Sequence, residues 1–259
     1  MFAGSRSGSP MLLIDGGGSG IHVLNLALTG ANPNAGTALA FNPAFEGNHG
    51  ISIGGTADVE IGPSVAISNV GGDGVYVTGG TQAGVAQWAD GVRVHDIHVS
   101  GAGRMGIALT DGARNVTVQD SRFEAIGLYA FDLEPNGHTF AGVPAGAEHV
   151  AFVDNSVAVY GLSPALSPLL FAGTGVGPEV DVELRGTTVT GSPLRVGVWD
   201  NSGSLRRDFR IIGNSSDTPT SGPSLTFTGV DGLVVTGNVQ PLLNDPLIQL
   251  TRCLNATTQ

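Results

Sequence analysis

The stretch that decides the fold is Val92-Arg93-Val94-His95-Asp96-Ile97-His98-Val99, which recurs 24 residues later as Val116-Thr117-Val118-Gln119-Asp120-Ser121-Arg122-Phe123. In both copies apolar residues alternate with others, a turn-forming Asp follows, and the alternation resumes. Because successive Cβ atoms of a strand point to opposite faces, each copy predicts two short strands joined by a bend. Further copies begin at Ile21, Val59, Val150, Val182, Phe209 and Leu233.

A third strand completes each repeat, as in Val75-Tyr76-Val77, Ile107-Ala108-Leu109, Phe131-Asp132-Leu133 and Val196-Gly197-Val198. A period of 20-odd residues with three short strands is one coil of a solenoid. The sequence therefore predicts an all-β fold, a right-handed parallel β-helix with three short strands per coil. We expect residues 11–245 to form this domain, residues 1–10 to be disordered or a linker, and residues 246–259 to be a C-terminal strand or tail.

One inward position of the repeat is polar in most coils. The Ile97 position is occupied in later coils by Ser121, Asn155, Thr187, Asn214 and Asn238. Side chains stacked about 4.8 Å apart can hydrogen-bond to the next coil, so this column is predicted to be a structural ladder. The column of Asp96, Asp120 and Asp154 is predicted to serve the bend beside it.

Composition excludes several classes of function. The net charge is −11 and all 11 basic residues are Arg, which argues against nucleic acid or an anionic membrane as a partner. No lysine is present to act as a base or Schiff-base former, and a single cysteine, Cys253, precludes an intrachain disulfide. No apolar run approaches the roughly 20 residues of a membrane helix. No metal site is predicted, although a Ca²⁺ bridging two sets of carboxylates is left open.

The candidate site is the stretch Tyr129-Ala130-Phe131-Asp132-Leu133-Glu134-Pro135-Asn136-Gly137-His138. Phe131 and Leu133 align with inward residues, so Asp132 and Glu134 face outward, about 6.6–7 Å apart. Two nearby carboxylates repel each other and one pKa rises, which suits acid–base catalysis. The alternative is structural: the same residues describe a strand that ends at Pro135 and turns.

Other residues are predicted to join this face. Arg104 and His138 are candidate catalytic residues with the two acids, Arg104 by neutralising substrate charge and His138 by carrying a proton. Aromatic rings stack on sugars and polar groups bind their hydroxyls. The predicted substrate-binding residues are Tyr76, Thr110, Tyr129, Arg195, Trp199 and Asp200. For Trp199 the alternative is packing beneath a loop.

With these residues in hand, the chain resembles the pectate-lyase-like superfamily of right-handed parallel β-helix proteins, over about residues 14–238. The coil pattern and the Asp-x-Glu-Pro-Asn segment beginning at Asp132, common in uncharacterised bacterial and phage members, carry the resemblance. Tyr129, Phe131 and Asp132 also resemble the catalytic segment of mannuronan C5-epimerases. In this chain Ala130 stands where those enzymes have a Gly, and Leu133-Glu134 are inserted after the Asp. This departure argues against epimerase activity.

The resemblance implies a carbohydrate-active protein, since the superfamily includes polysaccharide lyases, hydrolases and epimerases together with phage tailspikes. We therefore expect action on a polymeric, uronate-containing or neutral polysaccharide by lysis or hydrolysis. The alternative is a non-enzymatic glycan-binding or structural module, such as a phage tail or cell-surface adhesin domain. The expected location is extracellular, at a cell surface or on a virion, with the N-terminal coil covered in a homotrimer or larger assembly.

Overall fold

The computed structural model of the chain describes residues 8–82, 84–140, 142–200, 205–241, 243 and 246–259. Residues 1–7 of the predicted linker lie outside the described residues, and so does residue 245, the predicted end of the β-helix domain. The described residues form three parallel sheets that run side by side along one axis, and each coil contributes in turn to sheets A, B and C.

Within each sheet, neighbouring strands come from successive coils, in the order of the sequence. Sheet A comprises β1 (Leu12–Ile14), β4 (Ile51–Gly54), β7 (Val75–Thr78), β12 (Ile107–Leu109), β15 (Phe131–Leu133), β20 (Phe171–Gly173), β23 (Val196–Trp199), β26 (Leu225–Thr228) and β29 (Ile248–Thr251). Sheet B comprises β2 (Ser19–Val23), β5 (Ala57–Ile61), β10 (Ala89–His95), β13 (Ala113–Gln119), β18 (Ala147–Val153), β21 (Glu179–Arg185), β24 (Arg206–Ile212), β27 (Val230–Asp231), β28 (Val234–Thr236) and β30 (Thr257–Thr258). Sheet C comprises β3 (Ala27–Thr29), β6 (Val65–Ser68), β11 (Ile97–Ser100), β14 (Arg122–Ile126), β19 (Ser156–Tyr160), β22 (Thr188–Thr190) and β25 (Ser215–Ser216).

Smaller elements project from the coils. Two antiparallel hairpins follow sheet A strands, β8 (Gly80–Gln82) with β9 (Val85–Gln87) and β16 (Thr139–Phe140) with β17 (Val143–Pro144). A short 3-10 helix, Pro43–Phe45, lies in the long segment that leads into β4. This architecture is the predicted right-handed parallel β-helix, and residues of the predicted tail supply its last strands, β29 and β30.

The interior is filled by the residues that the repeat marks as inward. Val92, Val116 and Val150 are in register and buried. Phenylalanine rings contact one another along the axis, mostly edge to face, and Phe131 and Phe152 are stacked with ring centroids 4.6 Å apart. Because this packing is continuous from coil to coil, the solenoid has one core rather than several.

The polar ladder is confirmed. Asn155 accepts a hydrogen bond from the Ser121 amide at 3.0 Å and donates to the Val118 carbonyl at 2.9 Å. Asn214 bonds in the same way to Thr187 and Leu184. The adjacent aspartates adopt the left-handed conformation, with φ of 50–53°, so they form the bend as predicted.

A second left-handed column interrupts every central strand of sheet B and was not predicted. Its non-glycine members have φ of 50–59° and are Asp58, Asn115, His149, Asp181 and Asp208. Each precedes the apolar residue that opens the repeat. Because Asp and Asn tolerate the left-handed conformation, they recur at this position.

Candidate functional site

A cavity of about 260 Å³ opens over the outer face of sheet A. Its lining residues come from the segment before β4, from the ends of sheet A strands and from the corner between coils. They are Glu46, Gly47, His49, Tyr76, Arg104, Thr110, Glu134 and Asn136. Four of the predicted site residues (Tyr76, Arg104, Thr110 and Glu134) therefore meet here.

Arg104 is the centre of the cavity floor and is only 8 % exposed. Its Nη1 lies 3.1 Å from Asp73 Oδ2, its Nη2 lies 2.5 Å from Glu134 Oε2, and its Nε lies 3.3 Å from Glu46 Oε1. Burial opposes the positive charge, yet Asp73, Glu134, Asp132 and Glu46 outweigh it and raise the Arg104 pKa above its ordinary value. Each of its three nitrogens faces a carboxylate of the chain, and the role of Arg104 in neutralising substrate charge stays a prediction.

One wall of the cavity is an ordered stack of rings. His49 and Tyr76 lie parallel, with centroids 4.5 Å apart and an interplanar angle of 6°. His49 Nδ1 accepts a hydrogen bond from the backbone amide of Asp73 at 3.2 Å, and the Tyr76 hydroxyl accepts one from Thr110 Oγ1 at 3.3 Å. The stack gives the cavity a fixed apolar face of the kind on which pyranose rings pack.

Asp132 lies on the outward face of β15, as predicted, but it is 1 % exposed rather than open to solvent. In register it follows Tyr76 and Ala108 across neighbouring coils. Its Oδ1 has no hydrogen-bond partner among the described residues. Burial above all, and then the charge of Glu134, raise the pKa of Asp132 well above its usual range, against the opposing effect of Arg104.

An apolar cover explains why Asp132 is buried. Met105, Ala108 and Leu128 form a small apolar cluster on the outer side of sheet A, and Phe41, Tyr76 and Tyr129 pack against it. Burial and the charges of Asp132 and Glu134 raise the pKa of Tyr129 to about 12, so its hydroxyl stays protonated at neutral pH. Tyr129 is thus placed close to both acids, although it does not line the cavity.

His138 is tied to the edge of the site rather than to its centre. Its Nδ1 lies 2.6 Å from Asp111 Oδ2, and the backbone amides of Gly137 and His138 donate to Asp111 Oδ1 at 2.9 and 3.3 Å. The imidazole is 74 % exposed and does not line the cavity. Asp111 therefore fixes the base of the β16–β17 hairpin, beside Asn136.

The three remaining predicted residues lie two coils farther along sheet A, roughly 10 Å from Asp132 along the axis. Arg195 donates to Thr220 Oγ1 at 3.0 and 3.2 Å. Trp199 is 37 % exposed and folds over Gly197 of its own strand, where a Cβ would lie 2.3 Å from the ring. Asp200 is buried and accepts a hydrogen bond from the Leu205 amide at 2.6 Å. None of the three joins the described cavity.

Sequence reasoning missed Glu46, His49, Asp73 and Asp111. Asp73 interrupts the corner Gly71-Gly72-Asp73-Gly74 and is fully buried, and a charged residue among corner glycines is the signal that could have found it. Glu46 and His49 belong to a segment outside the repeat. His49 is buried because the segment folds back over sheet A.

The described residues contain no helix that is both long and apolar enough to cross a membrane. Nor, within the described ranges, is any group of three or more His, Cys, Asp or Glu residues arranged to hold a metal ion. A Ca²⁺ that bridges two sets of carboxylates stays an open alternative to the predicted absence of a metal site.

Comparison with known proteins identifies the fold. No family model matches the sequence, and no curated protein matches it. Among solved structures, a family 28 exopolygalacturonase of Yersinia enterocolitica is similar over 90 % of this chain and 46 % of its own, with a TM-score of 0.50 and 13 % identity. A Geobacillus virus E2 protein (86 % of this chain, 54 % of its own) and the Dettilon tailspike protein (90 % and 54 %) each give a TM-score of 0.41 and 11 % identity. The chain spans about half the length of these structures, and the first likeness agrees with a right-handed parallel β-helix.

Proposed function

We propose that this chain binds a polymeric glycan over the outer face of sheet A and hydrolyses it. The observation that carries the proposal is the cavity itself, where the exposed Glu46, the half-buried Glu134 and a stacked ring pair surround one buried guanidinium. Carboxylates hydrogen-bond sugar hydroxyls, and ring faces pack on pyranose rings.

The chemistry rests on two carboxyl groups in different surroundings. Glu134 lies against Arg104 and lines the cavity, which suits a base that activates water. Burial raises the pKa of Asp132 well above its usual range, which suits an acid that protonates the leaving oxygen. Their expected spacing of about 6.6–7 Å lies within the range of roughly 6.5–9.5 Å typical of inverting hydrolases. Catalytic groups often become aligned only in the substrate complex, so burial of Asp132 in the free chain is compatible with this role.

Hydrolysis is favoured over lysis because the arginine at the site is already paired with carboxylates. A lyase needs a cationic group to stabilise the carboxylate of a uronate while a base removes the C5 proton. Arg104 is occupied by Asp73, Glu134 and Glu46, and the chain contains no lysine. Among the described residues the site therefore supplies the two acids that hydrolysis needs, and its one permanently charged cation, Arg104, is already paired.

The competing proposal is a glycan-binding module without catalysis, at a cell surface or on a virion. The observation that favours it is the cover over Asp132, since a buried acid contributes to binding pockets as well as to reactions. An extracellular location and a homotrimeric or larger assembly belong to this proposal and to the enzymatic one alike.

A panel of neutral, amino-sugar and uronate polysaccharides, with and without Ca²⁺, tests the proposal. New reducing ends and ultraviolet absorbance near the unsaturated-uronate band are measured for the wild type, Glu134→Gln, Asp132→Asn and Glu46→Gln. We expect reducing ends without absorbance, with kcat reduced at least about a hundredfold in Glu134→Gln and Asp132→Asn. Loss of kcat in Glu46→Gln but not in Asp132→Asn would move the acid to Glu46.

Two other results would contradict hydrolysis. Absorbance that rises with the reducing ends would identify a lyase. Binding of a glycan without release of reducing ends from any polymer would identify a binding module.

A further inference from the structure

The charge of the cavity points to the sugar that it accepts. Asp73, Glu134 and Glu46 each contact a different nitrogen of Arg104, so three carboxylates share one permanent cation. Among the described lining residues only Arg104 is permanently positive, and its guanidinium lies beneath the surface. Counted together with the buried Asp73, the carboxylates outnumber Arg104 and His49 even with His49 protonated.

Glu46 is the carboxylate best placed to meet a ligand. Its side chain is 52 % exposed, and the only described ion pair that it makes is the 3.3 Å contact with Arg104 Nε. Each carboxylate offers about four lone-pair sites, so Glu46 keeps acceptor capacity that faces the cavity. A sugar carboxylate placed here would meet like charge with no free cation, whereas an ammonium group would meet a complementary one.

The backbone around Glu46 is held in place by close packing. Gly72 has no side chain where the Glu46 carbonyl approaches, and a Cβ there would lie 2.2 Å from that oxygen. The Glu46 amide also donates to the Pro43 carbonyl at the end of the short helix. The carboxylate therefore projects from a fixed support beside the His49–Tyr76 stack, as a recognition group requires.

A second observation points to a ligand independently of the acidic residues that line the cavity. Asp132, 1 % exposed, has an oxygen without a hydrogen-bond partner among the described residues, on the outward face of sheet A that also carries Tyr76. Buried polar atoms without partners are rare, and they are commonly completed by a bound group. Asp132 does not itself line the cavity, and a donor-rich sugar bound there, with hydroxyl and ammonium protons, offers the kind of group that this oxygen lacks.

We propose that the cavity binds a hexosamine unit with a free, protonated amino group, and that Glu46 receives this amine. The inference rests on the proposed function and narrows its substrate to amino-sugar polymers that are at least partly unacetylated. The ring would pack on the His49–Tyr76 stack, and the amine would lie beside Glu46, on the side of Arg104 away from Glu134.

A matched pair of polymers tests this assignment. Binding of glucosamine oligomers and of the same oligomers after full N-acetylation is measured by titration calorimetry, at low and high salt, with Asp132→Asn as an inactive background. We expect the free amine to bind at least about tenfold more tightly, and Glu46→Gln to remove that preference while leaving binding of the acetylated form unchanged. Glu148→Gln, on sheet B, serves as the matched control and should keep the preference. The preference should weaken with added salt.

The outcomes separate the two proposals. Equal or tighter binding of the acetylated oligomer or of a polyuronate, or a preference that survives Glu46→Gln, would overturn the assignment of the amine. Hydrolysis of some glycan by the wild type would then leave the proposed function standing. Failure to bind or cleave any polymer of the panel would overturn both.

Discussion

Glu179 and Arg206 form an ion pair inside the solenoid, with Glu179 Oε2 3.3 Å from Arg206 Nε and both side chains fully buried. The two residues are in register on neighbouring strands, at a position occupied by Ala147 and Val230 in the flanking coils. Gly173 makes room for the pair, because a Cβ there would lie 2.7 Å from the Glu179 carboxylate. Arg206 also donates to the carbonyls of Thr174, Gly175 and Gly177.

Breaking this pair should cost far more than replacing it. Burial raises the pKa of Glu179, and Arg206 opposes that shift, so removal of Arg206 leaves an uncompensated carboxyl group. We expect Arg206→Val to lower the free energy of unfolding by about 3–5 kcal/mol. The double variant Glu179→Ala with Arg206→Val, which copies the flanking coils, should be less destabilised than the sum of the single variants. Chemical denaturation of the four proteins measures the coupling, and strict additivity would show that the pair does not act as a unit.

Asp132→Asn should stabilise the chain, and more so at higher pH. The folded-state pKa of Asp132 is raised above the unfolded value, chiefly by burial, so its contribution to stability is present below about pH 4 and is lost as pH rises through the folded pKa. Asparagine cannot ionise and escapes that loss. Thermal unfolding from pH 4 to pH 8 should therefore give a Tm difference between Asp132→Asn and the wild type that grows with pH. A difference that stays constant would show that Asp132 does not become more costly on ionisation.

The contrast between the fold and the site shows what a repeat can reveal. Inward residues such as Val92, Val116 and Val150 recur because every coil needs the same apolar contact, so local pattern suffices to place them. The register that this pattern implies also places Tyr76 and Asp132 in one outward column, as found. The same reasoning predicted that Arg104 lies at this site.

The site residues that the sequence did not predict depend on contacts made outside the repeat. Glu46 and His49 belong to an inserted segment that folds over sheet A, and nothing in the repeat predicts where such a segment will pack. Its return explains why His49 is buried and why Arg104 is saturated. Trp199 and Asp200 failed to join the site for a related reason, because outward position on the same sheet does not bring residues two coils apart into contact.

The asparagine ladder should be a major source of stability. Asn214 is fully buried, accepts from the Thr187 amide at 2.9 Å and donates to the Leu184 carbonyl at 3.0 Å. Asn214→Ala leaves both backbone groups without partners, and we expect a loss of about 2–4 kcal/mol in the free energy of unfolding. Asn238→Ala, at a half-buried position of the same column, is the control and should cost less. Equal losses in urea denaturation would show that burial does not set the strength of the ladder.

Asp111 should control the order of the hairpin beside the cavity. Its carboxylate accepts from the amides of Gly137 and His138 and contacts the His138 ring, while Asn136, the residue before them, lines the cavity. Asp111→Ala removes all three contacts, whereas His138→Ala removes only the one to the ring. Because the carboxylate is buried and the ring is exposed, the amide contacts should carry most of the effect.

We therefore expect limited proteolysis within residues 137–146 to be much faster in Asp111→Ala than in His138→Ala, with little change in the Tm of the solenoid in either variant. Since the hairpin packs on the coils through Phe140, against Gly79 and Gly112, its release should leave the core strands paired. In a glycan-cleavage assay Asp111→Ala should raise KM more than it lowers kcat, because it displaces Asn136 and leaves Glu134 on Arg104. Equal cleavage in the two variants would assign the order of the hairpin to the His138 ring instead.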